Sequence, residues 1–374
     1  MNDNKKPRFI ISGGGTGGHI FPAISIANEI RSRYHNSDIL FVGAKGRMEM
    51  EKVPAAGYPI EGLPVSGFDR KNLFRNVKVI IDLLKSIVFA RKIIRNFRPD
   101  IAIGVGGYAS APVLRAASAF SVPTLIQEQN SYAGVTNKLL AKNASRICVA
   151  YDEMDRYFPK EKIVKTGNPV RQDLFLVKNK DTEALRYFNL NSSKKIILIL
   201  GGSLGARTIN RSVISHLDKL SKSDVQVIWQ TGKFYIREAQ EAFNKIKPEN
   251  VVVTEFITRM DYAYAVADVV ISRAGAGSIS ELCLLGKPVI LVPSPNVAED
   301  HQTKNAMALV SRFAAIMVKD ADAENLMIPE ALKLLKDEQR IAILSQNIVN
   351  LAESNSAGRI VDEVVSLIEN RSVK

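Results

Sequence analysis

The residues of this chain that could do chemistry concentrate in two glycine-rich loops. Residues 10–22 read IISGGGTGGHIFP, and residues 196–207 read IILILGGSLGAR. Each loop follows a short apolar run typical of a buried parallel strand and precedes a helical pattern. Glycines at such a corner let a ligand approach the backbone, and the first amides of the helix favour phosphate. One such loop can equally be a plain turn, but the pair, with His19 at the rim of the first, predicts two nucleotide-type domains facing a cleft.

A third stretch, residues 272–281, reads SRAGAGSISE and combines small residues with polar side chains. Its pattern predicts a strand-to-helix corner with open amides, where the Ser278 hydroxyl adds a donor for a diphosphate. Glu281 falls about one turn into that helix, where a carboxylate can accept both hydroxyls of a ribose. The alternative is an ordinary helix start, in which Glu281 only interacts favourably with the helix dipole.

Other polar residues near strand ends are weaker candidates. Glu128 and Asn130 follow an apolar run and could face a ligand or form a plain polar loop. His301 and Gln302 start a helix and could line a site or merely cap it. The acidic pair at 320–322 resembles a metal-binding pair but lies in an expected surface turn. No other group of His, Cys or carboxylates has metal-ligand spacing, so we expect neither a metal nor a cofactor.

The first glycine loop also matches the G-x-G-x-x-G pattern of dinucleotide-binding proteins, at Gly13, Gly15 and Gly18. That function needs an acidic residue at the end of the second strand to hold the ribose. Here the second strand ends in FVGAK at residues 41–45, which contains no acid. The sequence therefore argues against a dinucleotide cofactor.

The size and composition of the chain fit two α/β domains. It has 374 residues, of which 46% are hydrophobic, and two cysteines, too few for a disulfide framework. Strand and helix patterns alternate in both halves, which predicts doubly wound parallel sheets. Pro22 is expected in the first turn of a helix that runs to about residue 33. The pattern is interrupted at residues 166–171, so we expect domains of residues 1–166 and 167–351, with a last helix over about 352–374 packing back on the first.

Positive charge is concentrated in residues 68–98. The whole chain carries +13, and this segment alone holds nine basic and two acidic side chains, a local charge of +7. Its apolar residues repeat at helical spacing, so it can lie on an anionic membrane surface, although part of it must pack on the sheet. The residues expected at the membrane are Leu73, Phe74, Arg75, Val77 and Lys78. No nucleic-acid-binding signature accompanies the charge, so we expect no nucleic acid partner.

Six motifs, in order along the chain, resemble one protein family. They are GGGTGGHIFPA at 13–23, GVGGYASAP at 104–112, EQNSYAGVTNK at 128–138, GNPVR at 167–171, GGSLGAR at 201–207 and RAGAGSISE at 273–281. Together they are similar to the MurG family, the peptidoglycan N-acetylglucosaminyltransferases that convert lipid I into lipid II.

The resemblance implies a two-domain GT-B glycosyltransferase fold, in which two Rossmann-like domains face a cleft. It implies UDP-N-acetylglucosamine as the donor, bound by the C-terminal domain. It implies a polyprenyl-diphosphate-linked N-acetylmuramoyl peptide as the acceptor, bound by the N-terminal domain. Finally, it implies a peripheral enzyme of cell-wall synthesis that contacts an anionic membrane surface on the cytoplasmic face of the inner membrane.

The resemblance also assigns residues to the donor. The contacts fall on Thr16, Gly17, Gly18, Asn130, Arg171, Ser203, Ile257, Ala276, Gly277, Ser278, Ile279, Ser280, Glu281 and Gln302. Two positions depart from the family pattern. Gln127 stands where many members have histidine, so a base at that position is not available here. Leu204 replaces a common glutamine, which leaves a side-chain contact to the donor open.

The predicted reaction is inverting transfer of N-acetylglucosamine to the 4-hydroxyl of the muramoyl sugar. That hydroxyl must lose a proton as it attacks, and His19 is the first candidate for the general base because imidazole titrates near neutrality. Glu128 is the second candidate. Two other classes stay open: another GT-B-type UDP-sugar enzyme, such as a lipid glycosyltransferase or an epimerase, and a non-enzymatic nucleotide-sugar-binding protein.

Overall fold

The computed structural model describes residues 6–65, 73–170, 174, 177, 179–297 and 300–372, except the side chains of residues 73–78, 80 and 372. The chain divides into two compact units. The first unit comprises Met1–Arg171 and Glu353–Lys374, and the second comprises Gln172–Ala352. Each unit has its own parallel sheet and its own buried core.

The sheet of the first unit contains seven strands within the described residues. They are β1 (Arg8–Ser12), β2 (Asp38–Ala44), β3 (Ile60–Leu63), β4 (Ile101–Gly104), β5 (Thr124–Glu128), β6 (Arg146–Val149) and β7 (Ile163–Lys165), paired in the order β3-β2-β1-β4-β5-β6-β7. The central strands are short apolar runs buried on both faces, as parallel strands covered by helices must be. The winding direction changes between β1 and β4, so the switch point of this sheet lies there.

Five helices follow in the first part of this unit: α1 (Gly17–Arg33), α2 (Glu49–Ala55), α3 (Leu73–Phe97), α4 (Ser110–Ala119) and α5 (Val135–Leu140). Pro22 is the sixth residue of α1, so the prediction that it lies in the first turn is wrong. The helix begins earlier than expected, at the glycines themselves. Because proline has no N–H, the carbonyl group of Gly18 receives no helical hydrogen bond from residue 22.

The second unit repeats the architecture with a six-stranded parallel sheet among the described residues. Its strands are β8 (Lys195–Leu200), β9 (Val225–Gln230), β10 (Val251–Thr254), β11 (Val269–Ser272), β12 (Val289–Leu291) and β13 (Ile316–Met317), in the order β10-β9-β8-β11-β12-β13. Here the switch point lies between β8 and β11. Apolar clusters on both faces of the sheet form the core, which contains the fully buried Trp229.

The remaining helices complete both units. Those of the second unit are α6 (Thr182–Tyr187), α7 (Arg207–Ser215), α8 (Leu217–Ser221), α9 (Ile236–Ile246), α10 (Met260–Val266), α11 (Ala276–Leu285), α12 (His301–Val310), α13 (Ala323–Leu334) and α14 (Glu338–Val349). The last helix, α15 (Ser356–Ser372), belongs to the first unit, where Ile360, Val361 and Val364 are buried in the cluster that contains Phe9 and Ile30. Among the described residues, no helix is both long enough and apolar enough to cross a bilayer.

Candidate active site

The glycine corners lie at the switch points of the two sheets. In the first unit, residues 13–16 follow β1 and residues 105–109 follow β4, and these two strands pair in parallel. In the second unit, residues 201–206 follow β8 and residues 273–275 follow β11, which also pair in parallel. Each unit therefore brings two corners to the carboxyl edge of its own sheet, the position at which open α/β sheets bind ligands.

The two corners of the first unit are locked together. Gly107 has φ +83°, and a Cβ at this position would lie 2.4 Å from the carbonyl oxygen of Gly14, so only glycine fits. Beside this contact, the buried Ser110 hydroxyl shares its one hydrogen between the carbonyl oxygen of Ser12, at 2.7 Å, and that of Gly106, at 2.9 Å. The corners after β1 and β4 thus form one rigid surface.

His19 lies on this surface, in the first turn of α1. Its Nδ1 is 3.0 Å from the carbonyl oxygen of Gly14. A carbonyl oxygen can only accept, so this contact assigns the proton of a neutral imidazole to Nδ1 and leaves the lone pair on Nε2. Nε2 faces Gly106, where a Cβ would lie only 2.9 Å away. A side chain at residue 106 would therefore collide with the imidazole ring.

Glu49, which the sequence motifs did not single out, holds the same corner through hydrogen bonds. Its side chain is 1% exposed, and its two carboxylate oxygens accept hydrogen bonds from the amides of Gly15 and Ala44, each at 2.9 Å. The Gly15 amide is thus occupied by a protein carboxylate rather than open to a ligand phosphate. Since the Gly14 carbonyl orients His19, Glu49 fixes the segment that fixes the histidine.

The carboxylate of Glu128, the alternative base, holds a loop of the first unit in place. It is buried and accepts from the amide of Gly134 at 2.9 Å, from Asn137 Nδ2 at 2.9 Å and from the amide of Asn130 at 3.1 Å. These bonds hold the loop after β5 and leave the carboxylate little exposed surface. The neighbouring Gln127 is also buried and donates to Asn168 Oδ1 at 3.0 Å. The geometry favours His19 over Glu128 as the base.

The second unit places its candidate residues along one edge. Ser203 follows β8, Ile257 follows β10, α11 follows β11, and Gln302 lies in the helix after β12. Because parallel strands end at the same edge of a sheet, these residues share the carboxyl edge of the second unit. Ser203 is exposed, whereas the side chain of Ile257 is buried in the core, so only its backbone could contact a ligand.

The start of α11 has the properties of an anion site. Gly275 precedes the helix, and the described residues provide neither a side-chain cap nor an acid in its first turn. The amides of Ala276, Gly277 and Ser278 therefore present the positive end of the helix dipole. A Cβ added at Gly277 would meet no atom within 4 Å, which shows open space beside the turn. The next residues face inward or backward: Ile279 packs in the core, and the Ser280 hydroxyl donates to the Ala276 carbonyl.

Two polar side chains near this helix are oriented by protein contacts. The buried Tyr264 hydroxyl donates to Glu281 Oε2 at 2.9 Å. Gln302 Oε1 accepts from the amide of Ser294 at 2.9 Å, so its carboxamide nitrogen is the group that can donate to a ligand. The side chains of Glu281 and Gln302 are half-buried. They are held in defined positions, as a binding site requires.

The acidic pair at 320–322 has a structural explanation. Asp320 forms an ion pair with Arg273 and accepts from the Thr208 hydroxyl at 2.9 Å. Arg273 also donates to the carbonyl oxygen of Val292 at 3.0 Å, so the pair ties the corner after β11 to the end of β12. In the part of the chain that the structure describes, no group of three or more His, Cys, Asp or Glu residues could hold a metal ion.

Some predicted residues lie outside the described ones. Arg171, expected at the donor, is one of them. The side chains of Leu73, Phe74, Arg75, Val77 and Lys78 are also outside, although their backbone forms the start of α3. The described side chains of that helix are Val79 and those of residues 81–97.

Comparison with known proteins identifies the family. Residues 9–149 match the glycosyltransferase family 28 N-terminal domain, and residues 196–358 match the corresponding C-terminal domain. A relative from Parabacteroides distasonis is 64% identical over 98% of this chain and 100% of its own length. One from Porphyromonas gingivalis is 58% identical over 98% of this chain and 97% of its own. Both are named UDP-N-acetylglucosamine–N-acetylmuramyl-(pentapeptide) pyrophosphoryl-undecaprenol N-acetylglucosamine transferase.

The chain belongs to the MurG family. The crystal structure of Acinetobacter baumannii MurG is 26% identical, with a TM-score of 0.76 over 97% of this chain and 100% of that one. The prediction of two Rossmann-like domains in a GT-B fold is confirmed. A UDP-GlcNAc 2-epimerase from Neisseria meningitidis is only 14% identical, with a TM-score of 0.66 over 97% of this chain and 100% of that one. This second likeness shows the fold alone, so the fold does not separate MurG-type transferases from epimerases.

Proposed function

We propose that this MurG-family chain transfers N-acetylglucosamine from UDP-N-acetylglucosamine to a lipid-diphosphate-linked N-acetylmuramoyl peptide, the step that converts lipid I into lipid II in peptidoglycan synthesis. The observation that carries the proposal is the match at 64% identity over 98% of this chain to a relative named for this transfer.

In the proposed reaction, the 4-hydroxyl oxygen of the acceptor sugar attacks the anomeric carbon of the donor. The bond from that carbon to the diphosphate oxygen breaks, and its electron pair leaves with UDP. The hydroxyl proton passes to His19 Nε2. The bond between Nδ1 and the Gly14 carbonyl supports this assignment, because it holds the neutral ring with its lone pair on Nε2.

The second unit is proposed to bind the donor. The amides at the start of α11 would receive the diphosphate and stabilise the negative charge that grows on it as the bond breaks. Glu281, held by the Tyr264 hydroxyl, would accept from the ribose hydroxyls. The backbone of Ile257 would contact the uracil, while Ser203 and Gln302 would add polar contacts. From the first unit, Thr16, Gly17, Gly18 and Asn130 are proposed as further donor contacts.

The enzyme is further proposed to dock peripherally on the cytoplasmic face of the membrane, because its acceptor carries a long lipid. Support comes from the described part of α3. Leu84 is 60% exposed and Val88 is 66% exposed, and Ile81 lies on the same face of the helix. Exposed basic residues accompany them at Lys85, Arg91 and Lys92. An apolar stripe flanked by basic residues suits an anionic bilayer surface.

One assay separates the proposed function from its alternatives. Purified protein is incubated with UDP-N-acetylglucosamine in the presence and absence of a lipid I analogue, and the glycolipid and nucleotide products are resolved. A transferase of this kind forms the disaccharide lipid and UDP only when the acceptor is present. An epimerase would convert the donor without the acceptor, and a binding protein would turn over neither. Either of these two results would contradict the proposal.

A further inference from the structure

The first unit contains a basic cavity that the proposed reaction does not use. The cavity has a volume of about 530 Å³, and its lining includes Arg95, Arg98 and Arg371, with Phe120 beside them. Asp100, which comes just before β4, and Val122, which comes just before β5, also line it. The cavity therefore lies at the amino edge of the sheet, opposite the edge that carries the glycine corners and His19.

The charges around this cavity are unbalanced. Asp100 contributes the single carboxylate of the lining, and it accepts from the amide of Arg8 at 2.9 Å. Among the described residues, no carboxylate lies within ion-pair distance of the guanidinium groups of Arg95, Arg98 or Arg371. Three guanidinium groups around one cavity favour a phosphate, because their planar forks can donate two parallel hydrogen bonds to its oxygens.

The rest of the lining is apolar and adjoins the exposed face of α3. Ile94, Val122 and Ile368 line the cavity, and the Phe120 ring is 44% exposed beside it. On α3, Arg95 lies seven residues after Val88, which in turn lies seven residues after Ile81, so all three share one face. At a rise of about 1.5 Å per residue, the exposed apolar stripe lies roughly 10 Å from the first arginine of the cavity.

From this juxtaposition we propose that the cavity binds the phosphate headgroup of an anionic phospholipid. The proposal rests on the docking of α3 at the bilayer and adds a defined headgroup site to it. The apolar stripe would enter the acyl region while the arginines hold a phosphate at the level of the headgroups. Attachment at the far end of a 25-residue helix would keep α3 flat on the membrane, which limits how the first unit can tilt.

The test compares two triple variants with equal loss of charge. The cavity variant is Arg95→Gln, Arg98→Gln and Arg371→Gln. The matched control is Lys85→Gln, Arg91→Gln and Lys92→Gln, which removes three exposed charges from the same helix outside the cavity. Binding is measured by sedimentation with vesicles of equal parts phosphatidylcholine and phosphatidylglycerol. Each lost charge weakens binding in both variants, but the cavity variant should lose roughly ten-fold more affinity than the control.

Further measurements distinguish the possible explanations of the result. Equal loss in the two triple variants would overturn the headgroup site and leave only diffuse attraction. Titration of the wild-type protein with inorganic pyrophosphate tests a soluble ligand; arginine-dependent binding of pyrophosphate without a vesicle effect would also overturn the proposal. The double variant Leu84→Ser and Val88→Ser tests whether α3 docks on the membrane at all. A result that contradicts docking is therefore distinguishable from a result that contradicts the headgroup site. Transfer to a water-soluble short-chain acceptor should be unchanged in the cavity variant, which shows that it is folded.

Discussion

At the residue scale, the proposed base His19 allows the chemical step to be tested apart from donor binding. It lies in the first unit, whereas the amides and carboxylate proposed to hold the UDP moiety lie on and beside α11 in the second. His19→Ala should therefore lower kcat by roughly 100-fold or more, because the attacking hydroxyl would lose its proposed base. UDP affinity, measured by titration calorimetry, should be nearly unchanged.

The control for this change is His35→Ala, which removes an exposed histidine of the same unit. Its turnover should match that of the wild-type enzyme. Near-normal turnover in the His19 variant would move the base elsewhere, and Glu128 would then have to be tested despite its burial. Glu128→Gln cannot decide the question by itself, because the same substitution would disturb the loop that the carboxylate holds.

Glu281 is the residue-scale test of donor recognition. Replacing it with alanine would remove the proposed charge-assisted hydrogen bond to the ribose, so affinity for UDP should fall by about 1.5–3 kcal/mol. Tyr264→Phe is the matched control, since it removes the hydroxyl that orients Glu281 but keeps the carboxylate. The control should cost less than the alanine variant in titration calorimetry. Unchanged affinity in Glu281→Ala would reject the ribose assignment.

At the element scale, Glu49 determines how well the first corner is held. Glutamine at this position offers one acceptor oxygen, whereas the amides of Gly15 and Ala44 need two acceptors. Glu49→Gln should therefore leave one of these two amides without its acceptor and destabilise the first unit by about 1–3 kcal/mol. Because the corner orients His19, kcat should fall while KM for the UDP-sugar changes little.

The exposed neighbour on the same helix supplies the control, since Glu51→Gln changes the same group without these contacts. The pH dependence of kcat/KM adds a readout that general destabilisation would not alter. If the Gly14 carbonyl no longer fixes the imidazole proton, the limb that reports the base should move in Glu49→Gln alone. If Glu49→Gln kept the wild-type kcat and the wild-type pH dependence of kcat/KM, Glu49 would have a structural role alone.

The connection between α11 and β12 contains a buried lysine with a predictable effect on stability. Burial lowers the pKa of the Lys287 ammonium from 10.5 to about 8, and Lys180 adds to the shift while Asp268 opposes it. Between these two values the unfolded chain binds more protons than the folded one, so stability rises with pH across this window. Lys287→Met should remove that rise, worth roughly 3 kcal/mol at most.

The measurement is urea unfolding at several pH values, followed by fluorescence of Trp229. It is the one tryptophan of the sequence and lies in the core of the second unit, so its signal reports that unit. Lys219→Met changes an exposed lysine of the same unit and should keep the wild-type pH dependence. A pH-independent difference between Lys287→Met and wild type would show that the ammonium is not perturbed.

The sequence predicted elements whose signals are local. β1, β8 and β11 could be predicted because each is an apolar run that ends at a glycine corner or next to one. β3 and β13 were not predicted, since β3 contains Glu61 and Gly62 and β13 has only two residues. Pairing with neighbouring strands makes them strands, and pairing is not visible in a single segment.

The same limit applies to the candidate site. The glycine corners and α11 were found because their residue types and spacing are contiguous in the chain. Glu49 was missed because its contact with Gly15 joins residues 34 positions apart and depends on how α2 packs beneath the corner. For Glu128 the carboxylate was visible in the sequence, but the four hydrogen-bond donors around it were not.

At the scale of the whole molecule, charge and exposed apolar surface are unevenly distributed. More than half of the net charge of +13 comes from residues 68–98, with a local charge of +7. The exposed apolar stripe of α3 lies in the same segment. If the acceptor is held in a bilayer, as proposed, this asymmetry would bring the first unit to the surface that supplies the substrate.

Removing the apolar stripe should therefore separate docking from chemistry. The variant Ile81→Ser, Leu84→Ser and Val88→Ser loses three exposed apolar side chains, and its affinity for phosphatidylglycerol vesicles should fall by roughly ten-fold or more. Transfer to a water-soluble short-chain acceptor should survive, because these exposed side chains are not among the residues proposed for the site. The control is Leu326→Ser, Ile343→Ser and Val349→Ser, which removes equally exposed residues from the second unit. If both variants sediment with vesicles as the wild-type protein does, α3 is an ordinary packed helix and the membrane contacts the protein elsewhere.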